Sequence, residues 1–235
     1  MHLFSQSENG NMKKLIIPFF ILILPLFMLG CNSGSSAKNN AQAVSVSTKG
    51  NYVSQCQNSA ILNGEKTFTL KVITDDTVEA DGVICSGSLD AFNAMLLDYP
   101  SIKYMDIKVI NGSIDDVTNL KLSEKVHSLG MVTRLSSTSV VASGGTDFFL
   151  AGNLRKIVSG AKIGVHNWQD GDGKKGKYYP RSSPEHQKYL DYYSTVGVSA
   201  SFYWFTLNAV ANGTAEDGDM HWMTQREINF FSLAL

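Results

Sequence analysis

The chain has 235 residues and a formal net charge of −1, with 20 Lys and Arg against 21 Asp and Glu. That balance excludes the basic footprint of a nucleic-acid-binding surface. No internal repeat or low-complexity block divides the chain, and residues 51–235 have the length of one ordinary domain.

Residues 1–30 read as an address rather than a fold. Met12-Lys13-Lys14 is a short basic start, and Met12 is the more natural initiator than Met1. Residues 15–27 form an apolar stretch broken only by Pro18 and Pro25, and Gly30 and Cys31 follow closely. A charged start, an apolar middle and a small residue before the cut make a secretion signal. The apolar stretch is short for a membrane span, which takes about 20 residues. Leu29-Gly30-Cys31 resembles the lipobox of bacterial lipoproteins. The resemblance implies that Cys31 is diacylated and becomes the new N-terminus, so the protein meets the membrane through lipid. Asn32 stands where inner-membrane lipoproteins carry a retaining aspartate, which implies the periplasmic face of the outer membrane in a two-membrane cell. Residues 31–50 are small and polar, bury too little apolar surface to offset their ordering entropy, and read as a tether.

Beyond the tether the pattern alternates. Residues 67–73 and 77–84 read as strands paired around Asp75-Asp76. Residues 88–97 read as a helix with Leu89, Phe92, Met95 and Leu96 apolar and Pro100 beyond it. Residues 104–110 are a strand and Asn111-Gly112-Ser113 a turn. Asp115 or Asp116 caps a helix that runs through Leu122, Val126 and Leu129 to Gly130. Strands follow at 131–135 and 161–166, with Val140 and Val141 leading into Ser143 and a helix over 147–154 between them. Ser183-Pro184 opens a further helix, and residues 201–210 make another, dense in aromatics. Repeated βα order predicts an α/β fold with a largely parallel sheet.

Cys56 and Cys85 remain once Cys31 is set aside, an even number in a secreted chain, and are expected to form a disulfide. The five histidines show no pair at metal-ligand spacing, and Asp170-Gly171-Asp172-Gly173 reads as a polar turn because Lys174 and Arg181 stand where a calcium loop needs oxygen ligands. No metal and no cofactor is expected.

The chemistry concentrates at Ser143 and His166, each at the end of an apolar run. A serine hydroxyl hardly ionises at neutral pH and needs a base, and imidazole is the usual one. Ser143 enters Gly144-Gly145 at a predicted helix start, where the helix dipole favours developing negative charge and the Gly144 N–H is placed for an oxyanion. Gly112-Ser113, after the 104–110 strand, is the expected second donor.

This order (strand, Gly112-Ser113 turn, helix, strand, Ala142-Ser143-Gly144-Gly145, helix, Arg155, strand, His166) resembles the ClpP/crotonase superfamily and, within it, the ClpP-like serine peptidases. The stretch 106–168 carries most of the likeness. Met223-Thr224-Gln225-Arg226-Glu227 resembles the closing Met-Ser/Thr-x-x-Glu of such domains. The chain also resembles a group of bacterial periplasmic hydrolases through Gly112-Ser113-Ile114-Asp115-Asp116, His166-Asn167-Trp168 and Phe202-Tyr203-Trp204-Phe205. The resemblance implies a spiral of repeated βα units, Ser143 as nucleophile, His166 as base, and Gly112, Ser113 and Gly144 as the oxyanion cradle. It implies an aspartate a few residues before the closing motif. A strict count lands on Met220, so the assignment goes to its neighbour Asp219, with Asp217, Asp147 and Asp170 as rivals. Asp115 and Asp116 read as helix caps that orient the edge of the site. The implied substrate is a peptide or small acyl compound, and the rings formed by ClpP-like folds imply a homo-oligomer. A second class of function is a catalytically silent binding module of the same fold held at the envelope. A third, acyl-thioester chemistry, meets the absence of coenzyme A outside the cytoplasm. The aromatic segment 169–210 reads as a lid or pocket wall, with Tyr203, Phe205 and Leu207 as core.

Overall fold

A computed structural model describes residues 50–57, 64–215 and 218–234, all within one unit of the chain, Ala41–Leu235. The expected signal at 1–30, the expected lipidation at Cys31, the expected tether to residue 49 and the rival Asp217 lie outside the described residues. Among the described residues, no helix is long and apolar enough to cross a membrane.

The α/β expectation holds. One sheet runs in the order β1 (Asn51–Val53), β2 (Thr69–Thr74), β3 (Thr77–Asp81), β4 (Tyr104–Ile110), β5 (Val132–Ala142), β7 (Lys162–Val165) and β8 (His221–Trp222), while β6 (Leu154–Ile157) pairs with β5 off that path. The central pairings β3–β4, β4–β5, β5–β6 and β5–β7 are parallel. The outer ones, β1–β2, β2–β3 and β7–β8, are antiparallel. Alternation drives the strands: Val78 and Ala80 of β3, and Met105 and Ile107 of β4, face the core.

The crossovers are helical. In α1 (Ser88–Asp98), Ala91, Phe92 and Met95 recur at helical spacing and are buried. Burying each of the two larger side chains contributes roughly 1.5–3 kcal/mol. In α2 (Asp116–Ser128) the Asp115 side chain accepts from the Thr118 N–H at 2.9 Å, so Asp115 is the cap. Gly130, at φ 67°, takes the left-handed turn after its end. After α3 (Gly144–Leu150) come α4 (Pro184–Thr195), capped by Ser183 with proline in its first turn, α5 (Ala200–Asn208) and α6 (Gln225–Phe230). Thr224 and Glu227 form a reciprocal capping box on α6, which gives the closing Thr-x-x-Glu pattern a structural role.

Three sequence expectations change. The strand expected at 131–135 starts at Val132 and runs on through 140–141 as one strand, β5. Between the pairings Ile107↔Leu135 and Val109↔Val140 the register shifts, and Ser139 bridges the bulge by donating to the Ile107 carbonyl at 2.5 Å. The helix expected at 147–154 begins earlier, at Gly144, and ends at Leu150, because Leu154 is drawn into β6 beside Val132. β6 itself was not anticipated. Its Arg155 is only 2% exposed and donates to the carbonyls of Leu150, Gly152, Val196 and Leu233, so a buried charge meets backbone acceptors in an otherwise exposed strand.

Cys56 and Cys85 are disulfide-bonded, with Cα atoms 5.4 Å apart, and tie the segment after β1 to the approach to α1.

Candidate active site

The two halves of β5 have different neighbours, and this places Ser143. The first half pairs with β6 and the second with β7, whose Gly164 lies opposite Ala142. The Ser143 N–H donates to the Gly164 carbonyl at 3.1 Å, and Thr146 Oγ1 donates to the same oxygen at 2.8 Å. One residue past β7 comes His166. Its Nε2 lies 2.7 Å from Ser143 Oγ.

Ser143 is the residue before α3, with φ 53° and ψ −127° and no side-chain capping bond. This is a region of backbone space that glycine occupies readily and other residues rarely do. The strained turn lets the chain pass from strand to helix at once while the hydroxyl projects toward His166.

Two turns converge on that hydroxyl. A Cβ added to Gly112 would lie 3.5 Å from Ser143 Cβ and 3.8 Å from its Oγ. A Cβ on Gly144 would come within 2.5 Å of Ser113 Oγ and 2.9 Å of Asn119 Nδ2. Asn119 donates to the Gly144 carbonyl at 2.9 Å and pins the peptide from below. The Ser113 side chain is drawn aside, its Oγ donating to Asp116 Oδ1 at 2.6 Å. The backbone N–H groups of Gly112, Ser113 and Gly144 donate to no carbonyl among the described residues. At Gly145 a side chain would run into the Ile110 carbonyl, so only glycine lets α3 start so close to β4.

Asp219 reaches the far side of the imidazole. β8 runs antiparallel to β7 with His221 opposite Val165, which brings the residues before β8 alongside His166. Asp219 Oδ1 lies 3.3 Å from His166 Nδ1, and Asp219 Oδ2 accepts from Lys175 Nζ at 2.7 Å. The Asp219 side chain is 48% exposed. Partial burial opposes its charge, but the Lys175 hydrogen bond and the neighbouring His166 and Lys175 charges outweigh it and hold the carboxyl below its usual range.

The rival carboxylates have other partners. Asp170 accepts from the Tyr179 hydroxyl and from the N–H groups of Asp172 and Lys174, inside the polar turn expected there. Asp147 Oδ1 accepts from the Tyr193 hydroxyl at 2.6 Å. Asp116 Oδ2 accepts from the Tyr189 hydroxyl at 2.6 Å, so Asp116 does orient the edge of the site.

Beside Ser143 and His166 lies a pocket of about 40 Å³. Asp116, Asp147 and Thr206 line it, with Trp168, Tyr189, Tyr193 and Tyr203 as aromatic wall. The segment 169–210 is thus part pocket wall. Tyr203 is buried and serves the pocket as well as the core, Leu207 is core, and Phe205 packs against the core while partly exposed. Burial pushes the Asp147 carboxyl up, opposed by the Tyr193 hydrogen bond and helped by the Asp116 charge, to about 7.

Sequence reasoning missed Lys175 and the placement of Asp147 in the pocket, and it gave the wall as the segment 169–210 without singling out Tyr189 and Tyr193. Tyr189 and Tyr193 stand four apart in α4, a spacing that places them on one helix face, which was the available signal. Among the described residues, no three His, Cys, Asp or Glu side chains are grouped to hold a metal ion.

No protein-family model matches the chain, and no curated protein matches it. Solved structures do. A membrane-bound stomatin-specific protease, 1510-N, a mutant in complex with a substrate peptide, is similar at 14% identity and a TM-score of 0.44, over 68% of this chain and 71% of that one. An enoyl-CoA hydratase from Bacillus anthracis is similar at 10% identity and a TM-score of 0.42, over 71% of this chain and 68% of that one. Likenesses this distant leave the chemistry to be argued from the site's own atoms.

Proposed function

We propose that this chain is a serine hydrolase of ClpP/crotonase-like type that cleaves an amide or ester through an acyl-enzyme, held at the cell envelope by the lipidated Cys31. One observation carries the reading: Ser143, in a strained turn at a helix start, lies 2.7 Å from His166 Nε2. The anchoring half of the proposal rests on residues 1–31 alone.

His166 Nε2 takes the proton of Ser143 Oγ as the oxygen attacks the substrate carbonyl. The Asp219 carboxylate, 3.3 Å from Nδ1, favours the tautomer with its proton there, which leaves Nε2 free as base, and it stabilises the imidazolium that forms. Charge developing on the carbonyl oxygen falls among the free N–H groups of Gly112, Ser113 and Gly144 at the positive end of α3. The imidazolium then protonates the leaving amine or alcohol. In the second half-reaction His166 deprotonates water, which attacks the acyl-enzyme, and the proton returns to Ser143 as the carboxylic acid departs. Substrate is a peptide or small acyl compound, and no cofactor enters any step.

A fluorophosphonate probe tests this. The wild-type protein is expected to be labelled on Ser143, with no labelling of Ser143→Ala, and His166→Ala is expected to lose roughly 10³-fold or more in turnover. A folded wild-type protein that resists the probe would support a silent binding module of the same fold.

A further inference from the structure

We infer that the pocket beside Ser143 selects an acyl group carrying an ammonium, a substrate class that rests on Ser143 being the acyl acceptor. Asp116 and Asp147 line this pocket, and neither forms an ion pair with Lys, Arg or His among the described residues. Asp116 has both oxygens engaged, by Ser113 and Tyr189. Asp147 has Oδ1 engaged by Tyr193, while its Oδ2 accepts no hydrogen bond among the described residues.

The walls suit the same guest. Tyr189 stacks on Tyr203 with centroids 5.6 Å apart and on Trp168 at 5.7 Å. Trp168 Nε1 donates to the Tyr203 hydroxyl at 2.9 Å, which holds the wall in place. An apolar guest would take water from these half-buried carboxylates without giving them a partner. An ammonium supplies hydrogen-bond donors to Asp147 and charge to both carboxylates.

Isosteric p-nitroanilides test the inference, each pair exchanging a terminal methyl for an ammonium: propionyl and glycyl, butyryl and β-alanyl, pentanoyl and γ-aminobutyryl. At least one ammonium member is expected to exceed its neutral partner in kcat/KM by roughly tenfold or more, the worth of one charge-assisted hydrogen bond. That ratio is expected to fall toward one in Asp147→Asn, and in Asp116→Asn as the second variant. Binding is read separately, by NMR titration of Ser143→Ala with β-alaninamide and butyramide. Neutral members hydrolysed as fast as their ammonium partners would overturn the inference and leave the hydrolase standing. If no anilide is cleaved and Ser143 resists the fluorophosphonate, the hydrolase falls and the binding experiment decides. Preference for β-alaninamide then sustains a cation pocket, and equal or weaker binding than butyramide removes it.

Discussion

Ser143 carries backbone strain that a pair of substitutions can weigh. Its φ of 53° with ψ of −127° lies where an L side chain meets its own backbone, at a cost of about 1–3 kcal/mol. Ser143→Ala and Ser143→Gly both remove the hydroxyl and its hydrogen bond to His166, so that loss cancels between them. Alanine keeps the Cβ and hence the strain. Glycine relieves it but adds freedom to the unfolded chain, worth about 0.4–1 kcal/mol against folding. The midpoints of the two ranges leave Ser143→Gly more stable than Ser143→Ala by about 1.3 kcal/mol. For a domain of this size that is a melting difference of roughly 3–5 °C. Thermal unfolding followed by circular dichroism on the two variants side by side reads it directly. In a helix or strand interior, where φ is negative, the order would reverse, because glycine costs stability there. A glycine variant that melts at or below the alanine variant would therefore refute the claim that this turn is strained.

Other outcomes follow from the same geometry. Removing the disulfide with Cys56→Ala and Cys85→Ala opens a loop with a sequence separation of 29, and chain entropy sets the loss at about 3.6 kcal/mol, read by urea unfolding. Asp219→Asn should lower kcat/KM roughly 10–100-fold, less than the roughly 10⁴-fold known for a buried triad aspartate, because Asp219 is half exposed and shared with Lys175. A loss equal to that of Ser143→Ala would contradict the exposure argument. Asp147, raised to about 7, keeps its proton in the folded state where the unfolded chain has lost it. Stability tied to this group is thus present below pH 4, falls as pH rises from 4 to 7, and levels above. Asp147→Asn removes that slope, so its stability relative to wild type should rise between pH 4 and 7.5 in denaturant titrations. A constant difference across that range would show that the carboxyl titrates normally.

The fold was legible where periodicity and punctuation agreed. The strand at 104–110 alternates cleanly, and the following helix has an aspartate before it and a glycine after it. Ser143 and His166 stood out because each ends an apolar run. β6 was hidden because Leu-Arg-Lys-Ile offers only four residues, and its central arginine is buried through carbonyls supplied by distant segments. The continuity of β5 was hidden because residues 136–139 are all small and hydroxylated, the composition of a turn, while Ser139 satisfies the bulge from its side chain. The count that landed on Met220 missed by one for a packing reason. Met220 covers Gly164, where a Cβ would lie 2.7 Å from its sulfur, and the carboxylate one residue earlier is the one beside the imidazole. Register between β7 and β8 sets that choice, and no local pattern encodes it.

Asp116 joins the parts of the site that sequence order keeps apart. It sits in the first turn of α2, where the helix dipole stabilises its charge. One oxygen draws Ser113 Oγ away from the cleft, which leaves the turn's N–H groups to face a substrate. The other oxygen receives Tyr189 from α4, a residue 73 positions later. The carboxylate therefore fixes the spacing between the oxyanion turn and the aromatic wall, and a small pocket stays open between them. Buried polar networks stabilise when their members are satisfied, and both oxygens of Asp116 are. Asp147, whose Oδ2 accepts no hydrogen bond among the described residues, lines the same pocket beside Ser143, where the proposed substrate would supply a donor.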